Sequence, residues 1–498
     1  MPYEPIIGLE THIQLNTQSK IFCACKADST DTGPNTNICP VCTGLPGVLP
    51  VLNRRVVEKG VLLAAAMHAE AQSLSFFDRK NYFYPDLPKG YQISQYDKPL
   101  AKGGYLDVPQ ADGSLRRVSI WKLHIEEDAG KTKNSLGRRL VDFNRCGVPL
   151  VEMVTAPDLR SADEAANYLT RLRQLLRWIG VSEADMEKGH LRCDANVSLR
   201  LVGATTLNTK TEIKNVNSIE AVRAAIEKEI ERQLQAYEAG ERIESWTLEW
   251  DEDTQSLKKM RSKETEADYR YFREPDLLPV HLTDEWKASI LGDLPELPLE
   301  RRARFVTEYG LPGYDSDILT GERSLSDYFE STVKAYSGDP YPTGTMSTGS
   351  HRPDVPSGGQ AVKRISNWLM NDVMRLLNDS GQTAGELKLT PASLAEIIKL
   401  VDAGMLNANT GKSLLQKVNL TGKAPSQLVA EEGLARVSDD SAIRAVAAQV
   451  IAESPTEVTA YKGGKLGLMG WFVGQVMKKM QGKADAQKTR VLLEEMLK

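Results

Sequence analysis

The chain has 498 residues, 41% of them apolar and 26% charged, with 62 basic against 67 acidic side chains and a formal net charge of −5. That length predicts two to four domains, and so even a charge balance neither favours nor excludes nucleic acid, so local patches must decide. No run of about 18 apolar residues offers a membrane span; Met1-Pro2-Tyr3-Glu4-Pro5 lacks the basic and apolar regions of a secretion signal; and six cysteines, four of them clustered, suit a reducing, cytoplasmic setting.

The first periodic stretch runs from Ile7 to Leu15. Side chains alternate faces along a strand, so Ile7, Leu9, Ile13 and Leu15 line one face and Glu10, His12 and Gln14 the other. A carboxylate and an imidazole two residues apart can reach a common ligand roughly 7 Å along the strand, although a surface Glu and His on a half-buried strand give the same pattern. Cys23-Ala24-Cys25 and Cys39-Pro40-Val41-Cys42 follow, in a stretch rich in Gly and Pro. Two close thiols from each of two loops can point at one ion, which suits a tetrahedral zinc site; disulfides or idle thiols are the alternatives.

Arg54 to Ala71 has helical spacing. Asp78 to Gln92 packs Arg79, Lys80, Tyr82, Phe83, Tyr84, Lys89 and Tyr91 into one loop-like run, which suits stacking on a nucleotide or an RNA end or a wet loop packed by its own aromatics. Val118 to Ile125 alternates again, with Trp121, Leu123 and Ile125 on one face and Lys122 and His124 on the other. It runs into Glu126-Glu127-Asp128-Ala129-Gly130-Lys131, a pattern fit for Mg²⁺ and phosphate or for a solvated acidic turn. Parity sends Glu126 and Asp128 to the polar face and Glu127 to the apolar one, where a carboxylate is costly unless a cation pairs with it. Leu140 to Thr155 predicts more strand, and Glu152 within Pro149–Val154 needs a partner for the same reason.

Ser161-Ala162-Asp163-Glu164 is a capping box opening a helix to Ile179, with Gly180 as its stop. Leu191 to Arg200 alternates, with Arg192, Asp194, Asn196, Ser198 and Arg200 forming a polar row that is either a solvated sheet face or a substrate floor. Lys210 to Asn215 continues it, Ser218 to Ala239 reads as a helix closed by Gly240, and Asp268 to Asp276 brings Arg270, Arg273, Tyr269 and Tyr271 into a turn. Regular β-α alternation is missing, so residues 1–293 read as one large mixed, mainly antiparallel domain rather than a doubly wound fold. Helices take over afterwards, near 298–309, 316–336, 362–380, 391–403 and 407–418. Residues 294–421 form a helical domain, with a Gly/Pro/Ser/Thr-rich flexible insertion at 336–360. Residues 422–498 form a small helical tail. Its stretch Tyr461 to Arg490 carries Lys462, Lys465, Lys478, Lys479, Lys483, Lys488 and Arg490 against one acid, Asp485. Interleaved glycines and Trp471 suit close approach to phosphates; a solvated basic helix face is the plainer reading.

Familiar nucleotide and nucleophile motifs are missing. Six residues, not four, separate Gly404 from Gly411-Lys412-Ser413 and no strand precedes it, so it is not a P-loop. No Gly-x-Ser-x-Gly elbow occurs, and Cys146 and Cys193 have no glutaminase motif around them.

Taken together, Ile7–Leu15, Ser19–Cys23, Pro46–Asn53, Asp78–Asp86, Tyr91–Tyr96, His124–Lys131, Leu191–Ser198, Asp268–Asp276, Ser366–Met370 and the Gly-rich basic tail resemble the GatB/GatE family of aspartyl/glutamyl-tRNA amidotransferase chains. The resemblance spans nearly the whole chain. It implies an α+β cradle, a helical domain and a tail that contacts tRNA. The expected activity is ATP-dependent phosphorylation of the side-chain carboxylate of Glu on glutamine tRNA or Asp on asparagine tRNA, followed by amidation. Ammonia would come from an amidase partner, with a small bracing protein completing a heterotrimer, which accords with the missing glutaminase. By position Glu10, His12, Glu127 and Glu152 would hold Mg²⁺. Cys23, Cys25, Cys39 and Cys42 would hold a structural zinc, and Lys462, Lys465, Lys478, Lys479 and Lys483 would meet tRNA. The insertion at 336–360 departs from the family pattern. The archaeal sister protein carries a large extra domain for which this chain has no room. A non-catalytic, zinc-containing tRNA-binding module is the alternative from another class.

Overall fold

Alternation in the first strand sets the architecture. In a computed structural model of the protein, which describes residues 2–110, 112–135, 137–262, 266–338, 359–434, 440–480 and 484–497, Tyr3–Gln14 is strand β1. Ile7, Leu9 and Ile13 are fully buried on its inner face, each contributing about 1.5–3 kcal/mol. β1 lies at the centre of a ten-stranded sheet. Its neighbours are β3 (Pro149–Thr155) on one side and β4 (Leu191–Leu201) on the other; β2 (Leu115–Glu127) pairs with β3, and β5 (Thr211–Val216) with β4. All four pairings are antiparallel, while β5 pairs in parallel with Trp246–Asp251.

The chain divides into two units, Met1–Pro298 and Leu299–Lys498. In the first, the inner sheet face packs on three helices, α1 (Arg54–Ala66), α2 (Ala162–Trp178) and α3 (Ile219–Glu238). Ser161 caps α2 through Glu164 N at 3.1 Å, and Gly180 leaves it at φ +69°, as the capping pattern predicts. α1 is shorter than its periodicity suggests: His68 adopts φ +54°, and Glu70–Ala71 joins the sheet instead. A small sheet of Phe272–Arg273, Asp78–Asn81 and Tyr91–Ser94 brings the two Tyr- and Arg-rich stretches together.

The second unit is helical. A buried cluster built on Phe305, Phe329, Leu369, Leu394 and Leu414 extends to Leu428 and Val429, so no break in packing falls at residue 422. Arg301 and Arg304 meet Glu330 inside this unit, and Tyr309 Oη donates to Glu330 at 2.9 Å. Thr320 and Gly321 break the expected 316–336 helix into Gly313–Leu319 and Arg323–Ser337. Most of the insertion at 336–360 lies outside the described residues. A second cluster, with Ala447, Val450, Phe472, Val476 and Leu493, forms the end of the chain. The expected architecture, an antiparallel-dominated sheet region followed by helices, is what the structure shows.

Candidate active site

Strand register assembles a polar floor on the outer face of the sheet. Directly paired residues point to the same face. His12 pairs with Glu152, and Glu152 with His124; on the other flank Glu10 faces Asp194 and His12 faces Arg192. His12 Nε2 lies 3.8 Å from Glu10, 3.9 Å from Glu152 and 3.9 Å from Glu126. These separations exceed a hydrogen bond. Ligand atoms of Glu10, His12 and Glu152 all fall within 4.8 Å of one another.

Burial makes the floor electrostatically demanding. Burial, then the charges of Glu10 and Glu126, push the Glu152 carboxyl up to about 7. Burial also raises Glu126, against the pull of Lys80 and a 3.0 Å bond from Ser94 Oγ. Burial disfavours the Lys80 ammonium, but Glu152 and Glu126 outweigh it and hold the charge. His124 is pushed down to about 3 by burial and then by Lys122, Lys80 and Lys102, so it stays neutral. Its Nδ1 is 4.0 Å from Glu152 and its buried Nε2 has no partner. A hard divalent cation fits this oxygen-rich set with one imidazole, because it would remove the like-charge penalty that raises Glu152.

Glu127 does not join the set. Its Oε1 accepts Ile93 N–H at 2.9 Å and pairs with Lys89 Nζ. The reason is parity: the β2–β3 register is unbroken from Lys122 to Glu127, with its irregularity further back at Val154/Thr155. Glu127 therefore shares the face of Leu123 and Ile125, and the cation demanded there is Lys89. Glu126, on the face of His124, approaches His12 instead. The alternation of 122–126 puts Glu126 on the face of His12, whereas position in the motif singles out Glu127. Asp128, which receives Gln14 at 3.0 Å and Arg192 at 2.7 Å, and the Lys214–Asp194 pair at 2.5 Å extend the floor. The sequence leaves Arg192, Asp194 and Lys214 as a polar row and does not pair them with Asp128, because long-range pairing is not written in local period.

The aromatic run flanks the floor. Tyr96 stacks on Tyr271 at 4.3 Å, and Lys80 Nζ sits 4.8 Å over Tyr269. Arg79 binds Glu274 through two bonds of 2.7 and 2.9 Å, and Arg273 meets Asp78 at 2.9 Å, so these arginines hold the small sheet together. On the Glu127 side a cavity of about 220 Å³ is lined by Cys23, Cys42, Gly44, Arg79, Lys89 and Glu127.

The four clustered thiols converge: the sulfurs of Cys23, Cys25, Cys39 and Cys42 all lie within 4.8 Å of one another, a donor set matching tetrahedral zinc. Cys146 and Cys193 are buried outside this group.

In the tail, Lys462, Lys465, Lys478 and Lys479 are exposed. Lys479 pairs with Glu453 at 2.8 Å, and Lys483 lies outside the described residues. A Cβ at Gly464, Gly467, Gly470 or Gly474 would meet nothing within 4 Å, so these glycines serve no close approach inside the chain.

Residues 5–288 match the GatB/GatE catalytic domain family and residues 355–497 the GatB domain family. Among curated proteins the chain is similar to the B subunits of aspartyl/glutamyl-tRNA(Asn/Gln) amidotransferase from Thermodesulfovibrio yellowstonii (47% identical), Thermoanaerobacter pseudethanolicus (46%) and Persephonella marina (45%). Each of these alignments covers 100% of both chains.

Proposed function

The chain belongs to the GatB/GatE family of aspartyl/glutamyl-tRNA(Asn/Gln) amidotransferase B subunits, and we propose that the Glu10–His12–Glu152 floor is where it activates the mischarged amino acid. It is a ligase subunit that forms Gln-tRNA(Gln) or Asn-tRNA(Asn). A carboxylate is a poor electrophile; phosphorylation by ATP supplies the leaving group that ammonia then displaces. The observation that carries the reading is the convergence of two carboxylates and an imidazole within 4.8 Å, with Glu126 3.9 Å from His12.

Glu10, His12, Glu152 and Glu126 would hold Mg²⁺. When bound, Mg²⁺ neutralises charge developing on the transferred phosphoryl group. Lys80 balances the carboxylates and presents a second positive charge to phosphate oxygens. The aromatic shelf of Tyr96, Tyr269 and Tyr271 suits stacking of a planar base. Glu127 and Lys89 hold the wall behind the floor as an ion pair. The thiol cluster holds a structural zinc. Ammonia is supplied by a separate amidase partner, and a small third protein braces the pair. Lys462, Lys465 and Lys478 meet the tRNA backbone, with the open glycines admitting it closely.

The test is ADP formation by this chain co-purified with its amidase partner, given Mg²⁺, ATP and ammonia. ADP and Gln-tRNA or Asn-tRNA are expected only when Glu-tRNA(Gln) or Asp-tRNA(Asn) is added. A complex that binds either tRNA yet forms no ADP with both would leave the chain a non-catalytic tRNA-binding module.

A further inference from the structure

Lys20 is the only fully buried lysine among the described residues, with 0% of its surface exposed. A buried ammonium persists only where an anion answers it. Among the described residues no carboxylate does so. Lys20 Nζ donates to the Asn37 carbonyl at 2.9 Å and lies 3.7 Å from Cys42 Sγ. The same sulfur accepts the Cys39 N–H at 3.2 Å. The lysine stem is packed against Gly147, where a Cβ would meet Lys20 Cδ at 3.6 Å and Cys42 Cβ at 3.4 Å. Lys20 N also donates to the Cys25 carbonyl at 2.9 Å. One residue thus ties both cysteine pairs, through the Cys25 carbonyl and the Cys42 sulfur, and points its charge at Cys42.

From this we infer that Lys20 is the charge-compensating and positioning residue of a metal–tetrathiolate centre. Four thiolates around a divalent ion carry a net charge of about −2; with Cys42 buried and the other three half-buried, N–H donors and a cation on the buried side stabilise that charge. The Lys20 ammonium and the Cys39 amide converge on Cys42 to supply them. Lys20 touches no substrate and is not a metal ligand. The inference rests on the zinc reading of the four cysteines.

The test compares full-length wild type with Lys20→Met and Lys20→Gln after metal removal and Co²⁺ titration against a competing chelator, following the sulfur-to-cobalt charge-transfer band. Loss of a partner that supports a ligand from outside the coordination shell typically lowers metal affinity about 10–100-fold. We expect that loss in Lys20→Met, a smaller loss in Lys20→Gln, which keeps an N–H donor, and a shifted band because sulfur electron density changes when its hydrogen bond is removed. Lys20→Gln carries the same test should Lys20→Met not fold. Wild type that takes up no cobalt overturns the zinc reading and the inference with it. Wild type that binds cobalt, with both variants within twofold of it and an unmoved band, overturns the role of Lys20 alone.

Discussion

Replacing Glu127 by Gln separates a metal ligand from the partner of a lysine. Glu127 is 3% exposed and Lys89 8% in their side chains, and Ile93 N–H also donates to the carboxylate. Removing one partner of a buried ion pair costs about 3–5 kcal/mol. Glutamine keeps an oxygen for Ile93 and a dipole for Lys89, so the expected loss is smaller, about 2–3 kcal/mol. In a unit of this size about 1 kcal/mol moves Tm by about 2 °C, which gives a fall of about 4–6 °C in thermal unfolding. The Mg²⁺ concentration for half-maximal ADP formation in the amidase complex is expected to stay within twofold of wild type, because Glu127 faces away from His12. A tenfold rise in that concentration with an unchanged Tm would refute the assignment of Glu127 to Lys89 and return it to the metal.

Glu152→Gln is expected to lower ADP formation by about 100-fold, roughly 3 kcal/mol of transition-state stabilisation, with tRNA affinity retained; loss of both in parallel would point to misfolding of the floor. Exchanging Lys462 and Lys465 for Glu should weaken tRNA binding and flatten the plot of log affinity against log salt by about 2, and an unaltered slope measured by filter binding would remove these lysines from the interface. Burial opposes the Glu330 charge, but Arg304 and Arg301 more than offset it and hold the carboxyl at about 2 against an ordinary 4.5. Converting that difference gives about 3 kcal/mol. Because the folded value is depressed, this contribution is present above about 4.5 and is lost as pH falls towards 2. The stability gap between wild type and Glu330→Gln should therefore be largest near neutrality and close in acid, and a gap that widens below pH 4 would contradict it.

Local period carried much of the first unit. Alternation in Ile7–Leu15 and Leu191–Arg200 put Glu10, His12, Arg192 and Asp194 on one face, and the register of β1 with β4 has them side by side. Helix limits were legible where a cap announced them, as at Ser161, and not where the backbone turned without warning, as at His68. Parity also gave Glu126 and Glu127 their opposite faces. What it could not give was the identity of the groups waiting there. Lys89 is 38 residues from Glu127 and Ser94 is 32 from Glu126, and nothing in a repeating pattern of two or 3.6 residues encodes such a meeting. Lys20 escaped notice for the same reason: one lysine among many becomes distinctive only when its surface is seen to be zero.

The neighbouring carboxylates of β2 behave like letters in a reading frame. A single residue inserted between Ile125 and Glu126 would leave every side chain of the acidic run in the sequence, yet turn each to the opposite side of the sheet. The carboxylate now near His12 would be driven into the apolar layer with Leu123, and Lys89 would lose its anion. A second inserted residue would restore the sense. Length changes in the Lys131–Ser135 and Arg138–Asp142 hairpin, which is largely exposed and lies outside the ten-stranded sheet, carry no such consequence. Tolerance to insertion should thus alternate with parity along β2 and be indifferent to it a few residues later.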